Sequence, residues 1–337
     1  MKKFIIYFVI IVVVLVVGVY SLGRERKLER TEFLMDTIVN ASIYVKNSRQ
    51  GQEALNSTFK EMSRLEVMLD RHRSDSELAQ INEASGVQAV TVSDETLYVI
   101  KRSLQIGEQT DGAFDITIAP LLSLWGFGTG NENVPEDTKL AAVKKLVDFR
   151  MVEVNEQDNM IYLREKEMEI DLGGIAKGYI VDNGAEVLIK NGVSSAFLNA
   201  GGDIRVIGGK PDGSDWRIGI SHPRPQNSRH LIAEVKLRDR AIVTSGDYER
   251  FFLADNIRYH HIIDPKTGLP ARGLISVTVI APAAQTADAL STACFVLGLE
   301  RGMALIEGDK NLEAIMVTED EQVHVSSGLD GKVDVLP

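Results

Sequence analysis

Cysteine is all but missing: Cys294 is the one thiol in 337 residues. A lone thiol closes no internal disulfide, and without a CxxC pair neither a zinc ribbon nor a dithiol redox site can be built. An excess of positive charge is also missing. Thirty-seven Lys and Arg face 48 Asp and Glu, a formal net charge of −11, so no nucleic-acid partner is expected, because phosphate-backbone affinity rests on clustered cations. Proline is sparse at nine residues, and no Pro-, Gly- or Ser-rich tract divides the chain, which excludes a disordered or collagenous protein. HExxH, GxSxG and a Cys–His pairing are absent, which removes the usual hydrolase chemistries. The nucleotide fingerprints fail as well. Asn131 holds the sixth place of Gly126-Phe-Gly128-Thr-Gly130, spoiling GxGxxG, and Asp171–Gly178 is not GxxxxGK[ST].

Phe4–Leu22 forms an almost unbroken apolar run of 19 residues behind Lys2 and Lys3. It approaches the ~20 residues that cross a bilayer and exceeds the ~7–15 of a signal-peptide core. The reading is an uncleaved N-terminal membrane anchor within residues 1–30. A signal peptide cut near Ser21 and Gly23 is the alternative. Residues 1–30 carry six Lys/Arg and two Glu, a net of +4, leaving −15 on the remainder. Arg24, Arg26, Lys27 and Arg30 partly oppose the leading lysines, so charge alone gives only a lean toward a catalytic part outside the cytoplasm.

From Thr31 onward helices and strands are mixed without βαβα alternation, which reads as a single α+β domain over 31–337, with a helical subdomain near 47–148. Phe33–Val45 has strand character. Leu55, Phe59, Met62, Leu65 and Leu69 recur at helical spacing. A short helix is expected after Ser74 or Asp75, with Ser76 and Glu77 in its first turn. Another runs from Ser93 to about Gln109 behind its own capping chemistry, and 136–148 and 175–190 read as helices. Strands are expected at Met168–Ile170, Ser195–Asn199, Trp216–Ser221, Ile232–Leu237, Ile242–Ser245, His261–Asp264 and Leu274–Ala281. Helices at Thr286–Leu297 and Glu300–Glu307 precede last strands at Ala314–Thr318 and Gln322–Val325.

Three segments could carry chemistry. Asp171-Leu-Gly-Gly-Ile-Ala-Lys177-Gly178 reads as a strand ending in a carboxylate, two glycines for a tight turn, and a helix with Lys177 in its first turn. Free N–H groups there would face an anion. Thr286-Ala-Asp288-Ala-Leu-Ser-Thr292 places Asp288 and Thr292 four apart on one helix face, hard oxygen donors of the kind Mg²⁺ accepts. Tyr259-His-His261-Ile-Ile-Asp264 holds two adjacent histidines that a strand would point to opposite faces. One of them could serve as a general base. Each segment alone reads equally as ordinary structure: a corner with solvated charges, an acidic first helical turn, a packed histidine pair.

Together they form one ordered set. Met35-Asp-Thr37, Arg73-Ser-Asp-Ser-Glu77, Asp111-Gly-Ala-Phe-Asp115, Leu124-Trp-Gly-Phe-Gly128, Asp171–Gly178, Leu198-Asn-Ala-Gly-Gly-Asp203, Val243-Thr-Ser-Gly246, His261–Gly268 and Thr286–Thr292 resemble, in order and approximate spacing, the motifs of the ApbE family of FAD:protein FMN transferases across about residues 31–330. The resemblance implies an exported, Mg²⁺-dependent enzyme that cleaves FAD and joins FMN to a Thr or Ser hydroxyl of an acceptor protein, releasing AMP. Implied acceptors are redox-complex subunits or extracytoplasmic flavoproteins.

Carried over by motif, Met35, Ala113, Phe114 and Asp115 line the FAD pocket. Asp171 lies on the adenine side, with Lys177 and Ile262 completing the pocket. Asp288, Thr292 and the Gly174 carbonyl hold the metal, and His261 is the base for the acceptor hydroxyl. The chain departs from the pattern where His72 replaces a usual Tyr and Ile116 a frequent Pro. Two rivals use the same residues: an FAD pyrophosphatase with water as nucleophile, and a non-catalytic FAD-binding protein on the membrane.

Overall fold

Met35 and Asp36 both adopt positive φ, 53° and 54°, the signature of a type I′ hairpin turn. They split the expected Phe33–Val45 strand in two, because the alternation continues through a turn that carries no Gly or Pro to announce it. The computed structural model describes residues 25–224 and 231–335. The apolar run at 4–22 lies outside them.

Among the described residues the first half of the chain forms β1 (Arg26–Leu34), β2 (Thr37–Val45), α1 (Ser48–Leu69), α2 (Glu77–Glu83), β3 (Val90–Thr91), α3 (Asp94–Gln109), α4 (Ala119–Trp125) and α5 (Asp137–Val143). Next come β4 (Val152–Asn155), β5 (Met160–Leu163), α6 (Ala176–Lys190), β6 (Ala196–Ala200), β7 (Asp203–Ile207) and β8 (Trp216–Ser221). Then follow β9 (Leu231–Leu237), β10 (Ala241–Gly246), β11 (Phe251–Ala254), β12 (Ile257–His260) and β13 (Leu274–Ala281). Last are α7 (Ala284–Glu307), β14 (Glu313–Thr318), β15 (Val323–Val325) and β16 (Val333–Val335).

Eight strands form an antiparallel sheet in the order β1-β2-β6-β7-β10-β13-β14-β15. One face carries α1, α6 and α7, and the other the small sheet β16-β9-β8. The core therefore lies in two slabs, and β13 is buried along its whole length. Such a strand reads as a continuous apolar run, which is why its bounds were legible. The predicted face of α1 is buried at Leu55, Phe59, Met62, Leu65 and Leu69. Ser93 caps α3 as expected, whereas Ser76, expected inside the first turn of α2, is its cap.

The architecture is thus a single mixed domain of helices and strands, with further departures from expectation. Residues 168–170 are not a strand. Asn82 instead accepts from Ile170 N at 2.8 Å and donates to Ile170 O at 3.0 Å, so a side-chain amide stands in for a neighbouring strand. His261–Asp264 is not a strand either. The ladder ends at His260, and Asp264 opens a turn in which its side chain accepts from Lys266 N and its carbonyl from Gly268 N. Finally, β7 follows Gly201-Gly202, and that glycine pair reads as a loop unless its role as a hairpin turn is seen.

Helix α7 is long and apolar enough to cross a bilayer by length and composition. Here it packs on β10, β13 and α6, and Gly298 (φ 78°, ψ 177°) kinks it between the two helices that the sequence predicts. A satellite cluster of Trp125, Leu121, Leu140 and Ile263 lies under the β11–β12 hairpin, where Phe252 and Tyr259 stack on each other and pack against the Trp125 ring. Trp125 Nε1 donates to Gly268 O at 2.9 Å, pinning the turn that follows His261.

Helices α6 and α7 meet at their N-termini because Gly178 has no side chain: a Cβ there would run into the Ala284 carbonyl. Gly178→Ala is expected to cost about 1–3 kcal/mol, since the obstacle is backbone that cannot rotate away. The measurement is the urea midpoint at unchanged slope. A wild-type midpoint would show that the helices have room to part.

Candidate active site

Register places four features at one end of the large sheet: the Met35 turn, the β6–β7 turn that leads into Asp203, the C-terminal residues of β10, and the start of β13. The N-terminal halves of α6 and α7 cover that end. Neither helix caps itself with a side chain at its first residue. Each caps the other. Asp182 of α6 accepts from Ala284 N (2.8 Å) and Gln285 N (2.9 Å) of α7, and Asp288 of α7 accepts from Gly178 N of α6 at 3.0 Å. One of the N–H groups expected to meet a bound anion, that of Gly178, is therefore already taken by a protein carboxylate.

Asp288 is buried beside Asp203 and Lys177. Lys177 Nζ lies 2.7 Å from Asp203 Oδ1. Burial pushes the Asp288 carboxyl well above its usual range and the negative charge of Asp203 pushes it further. Asp203 is raised by burial, against the pull of Lys177. Burial opposes the Lys177 charge, yet Asp203 and Asp288 outweigh it and hold the ammonium above its ordinary value. Two buried carboxylates share one resident cation, an arrangement that favours a further positive charge or a retained proton.

The hydroxyls lie alongside. Ser245 Oγ is 2.7 Å from Ser291 Oγ and 3.3 Å from Thr292 Oγ1. At Gly174 an added Cβ would lie 3.2 Å from the Phe114 ring and 3.5 Å from Thr292 Oγ1. Gly174 thus lies against Phe114 and Thr292, and Asp288 stands one turn before Thr292 beside Lys177. Among the described residues no group of three or more His, Cys, Asp or Glu is spaced to hold a metal. A cation here would take carboxylate, hydroxyl and carbonyl oxygens and leave coordination places for phosphate and water, which fits Mg²⁺.

The remaining predicted residues divide by what they touch. Asp115 accepts from Thr117 N, Thr117 Oγ1 and Phe149 N at 2.6–2.9 Å. Its carboxylate is spent on shaping the loop that aims Phe114. Asp171 Oδ1 accepts from Gly173 N at 2.6 Å, and Oδ2 lies 2.6 Å from Arg71 Nε. Met35 N donates to Glu66 Oε1 at 2.5 Å at the hairpin tip. Ile262 is buried, and its carbonyl accepts from Ala271 N. Ala113 is buried immediately before Phe114.

The two histidines part company. His260 is buried, with Nε2 2.9 Å from Ala271 O and its ring edge-on to Phe295. His261 is half-buried, its N–H donates to Arg250 O at 3.0 Å, and Nδ1 is 3.3 Å from the same oxygen. Burial, then the Arg250 charge, push its imidazole down to about 4. A ring whose Nδ1–H faces a carbonyl is neutral near pH 7 and presents Nε2 as acceptor.

Residues 35–316 match the model of the ApbE family. The chain belongs to that family. The FAD:protein FMN transferase of Treponema pallidum is 34% identical, over all of this chain and 98% of its own. The enzyme of the same name from Escherichia coli K12 is 31% identical over 85% and 82%. Among solved structures, the ApbE protein of Thermotoga maritima superposes with TM-score 0.84 at 33% identity, and the flavin transferase ApbE of Vibrio cholerae with 0.81 at 32%. Each covers 91% of this chain and 99% of its own. The fold is that of the ApbE flavin transferases.

Sequence reasoning left Asp203, Ser245 and Ser291 out of the site although all three stood within quoted motifs. The signal was a polar residue ending or opening a strand beside glycine, which by itself reads as a turn.

The His261 imidazole is expected to titrate by NMR with a midpoint near 4. The unfolded chain then takes up the proton first, so stability falls as pH drops from about 6.5 toward 4. A midpoint at about 6.5 would show an imidazole fully open to water.

Proposed function

We propose that this chain transfers the FMN half of FAD to a Thr or Ser hydroxyl of an acceptor protein and releases AMP. The contact of Thr292 with Gly174, with Asp288 one helical turn away beside Lys177 and His261 held neutral, carries the reading. Family membership and relatives named FAD:protein FMN transferase support it. Met35, Ala113, Phe114, Asp115 and Ile262 would shape the flavin dinucleotide pocket, with Asp171 and Lys177 toward its adenine side. Mg²⁺ held by Asp288, Thr292 and the Gly174 carbonyl would neutralise charge that builds on the pyrophosphate as AMP leaves.

The protein's own part is proton removal and placement. His261 Nε2 accepts the hydroxyl proton as that oxygen attacks the flavin-side phosphorus. The bond from that phosphorus to the bridging oxygen breaks, and AMP departs with that oxygen. The buried pair of Asp203 and Lys177 fixes the turn beside the reacting phosphates. The apolar run at 4–22 would anchor the domain to the membrane, with catalysis on the extracytoplasmic side.

Incubation with FAD, Mg²⁺ and a candidate acceptor is expected to raise the acceptor's mass by one FMN. Free FMN and AMP with an unmodified acceptor would instead mark a pyrophosphatase, and intact FAD a binding protein. His261→Ala is expected to slow transfer by ~10²–10⁴-fold, the usual range for a lost base, with FAD binding retained. Asp288→Ala and chelation of Mg²⁺ should each abolish transfer, and added Mg²⁺ should rescue only the chelated sample.

A further inference from the structure

Arg71 has no part in the chemistry above, yet its guanidinium is built against Asp171. It stands two residues beyond α1 with a side chain only 14% exposed. Its Nε lies 2.6 Å from Asp171 Oδ2, and its Nη1 3.3 Å from Glu169 Oε2 and 3.4 Å from Ser123 Oγ. The other Asp171 oxygen accepts from Gly173 N at 2.6 Å, while Asp171 N donates to Ile116 O at 2.7 Å. Backbone and carboxylate are therefore both held. An exposed ion pair would add little, but this carboxylate is only 18% exposed and its plane is set from two sides.

Gly173 N–H bonds one Asp171 oxygen and the Arg71 guanidinium pairs in charge with the other, which leaves lone pairs for a further donor. An ionised carboxylate only accepts hydrogen bonds. On a purine it would select an exocyclic amine, and it would repel a carbonyl oxygen at the same place.

We propose that Arg71 is a positioning residue for base selection: by holding Asp171 in one orientation it lets that carboxylate read the amine of adenine. The proposal rests on the placement of Asp171 at the adenine end of FAD. A rival reading is a staple that ties residue 71 to the 169–171 segment and is indifferent to the base.

The test compares FAD with flavin hypoxanthine dinucleotide, in which a carbonyl replaces the amine. Binding to the full-length chain in detergent is measured by calorimetry without divalent cation. Wild type is expected to prefer FAD by at least ~10-fold, because a site built for a donor is left unpaired by the analogue. Arg71→Met should weaken FAD binding about 10-fold and shrink the preference below about 3-fold, as a freed carboxylate loses its aim. Arg71→Lys should recover part of both, and kcat at saturating FAD should stay within about twofold of wild type, since only binding is altered.

Thermal melting confirms that each variant is folded. A wild-type preference retained in Arg71→Met, whatever its affinity, would reduce Arg71 to a staple, and no preference in wild type would remove Asp171 as the reader. Base selection without transfer to any acceptor would leave this proposal standing and overturn the functional one.

Discussion

The exchange of capping carboxylates between α6 and α7 is the constraint on which the site depends. A helix N-terminus leaves backbone N–H groups without partners, and burying them unpaired is costly. Here each helix covers the other's orphans, Asp182 on Ala284 and Gln285, Asp288 on Gly178. The absent Cβ of Gly178 lets the two ends come close enough. That contact brings Asp288 into the same volume as Lys177, and it carries Thr292, one turn further along α7, up to Gly174.

The same burial creates the electrostatic tension that a cation would relieve. Asp203 and Asp288 are both raised by desolvation, and Lys177 supplies one positive charge between them. The large sheet holds Asp203 rigidly at the mouth of the β6–β7 hairpin, so the pair cannot separate to regain water. His261 is biased the opposite way, toward the neutral ring, by burial and by Arg250. Carboxylates short of a cation stand at one end of the large sheet, and the imidazole that follows the β11–β12 hairpin is free to accept a proton. These are the complementary needs of phosphoryl transfer to a hydroxyl.

Much of the frame could be read from local pattern. The stripe of α1 and the serine cap of α3 are short-range physics, and so is the doubly buried run of β13. The strand expected at Met168–Ile170 failed because its pairing partner is Asn82, distant in sequence and supplying side-chain atoms. His261–Asp264 failed because an Asx turn at Asp264 outcompetes the ladder. The Met35 hairpin was hidden by a type I′ turn without glycine, and β7 by a glycine pair that also suits a loop.

For the site, residue identities alone placed Asp288 with Thr292 on a helix face, put a lysine in the first turn of α6, and made one of the adjacent histidines a candidate base, which the family resemblance narrowed to His261. The ordered motifs joined these to a family. Which atoms meet was a matter for the tertiary structure. It turned Asp288 onto the N-terminus of a different helix, set Asp203 against Lys177, sent His260 into the core while leaving His261 at the surface of the site, and clamped Asp171 with Arg71. These outcomes depend on close approach between segments as many as 110 residues apart. Chain periodicity encodes which face of an element is apolar, but not which polar group the packing of two such faces leaves opposite another.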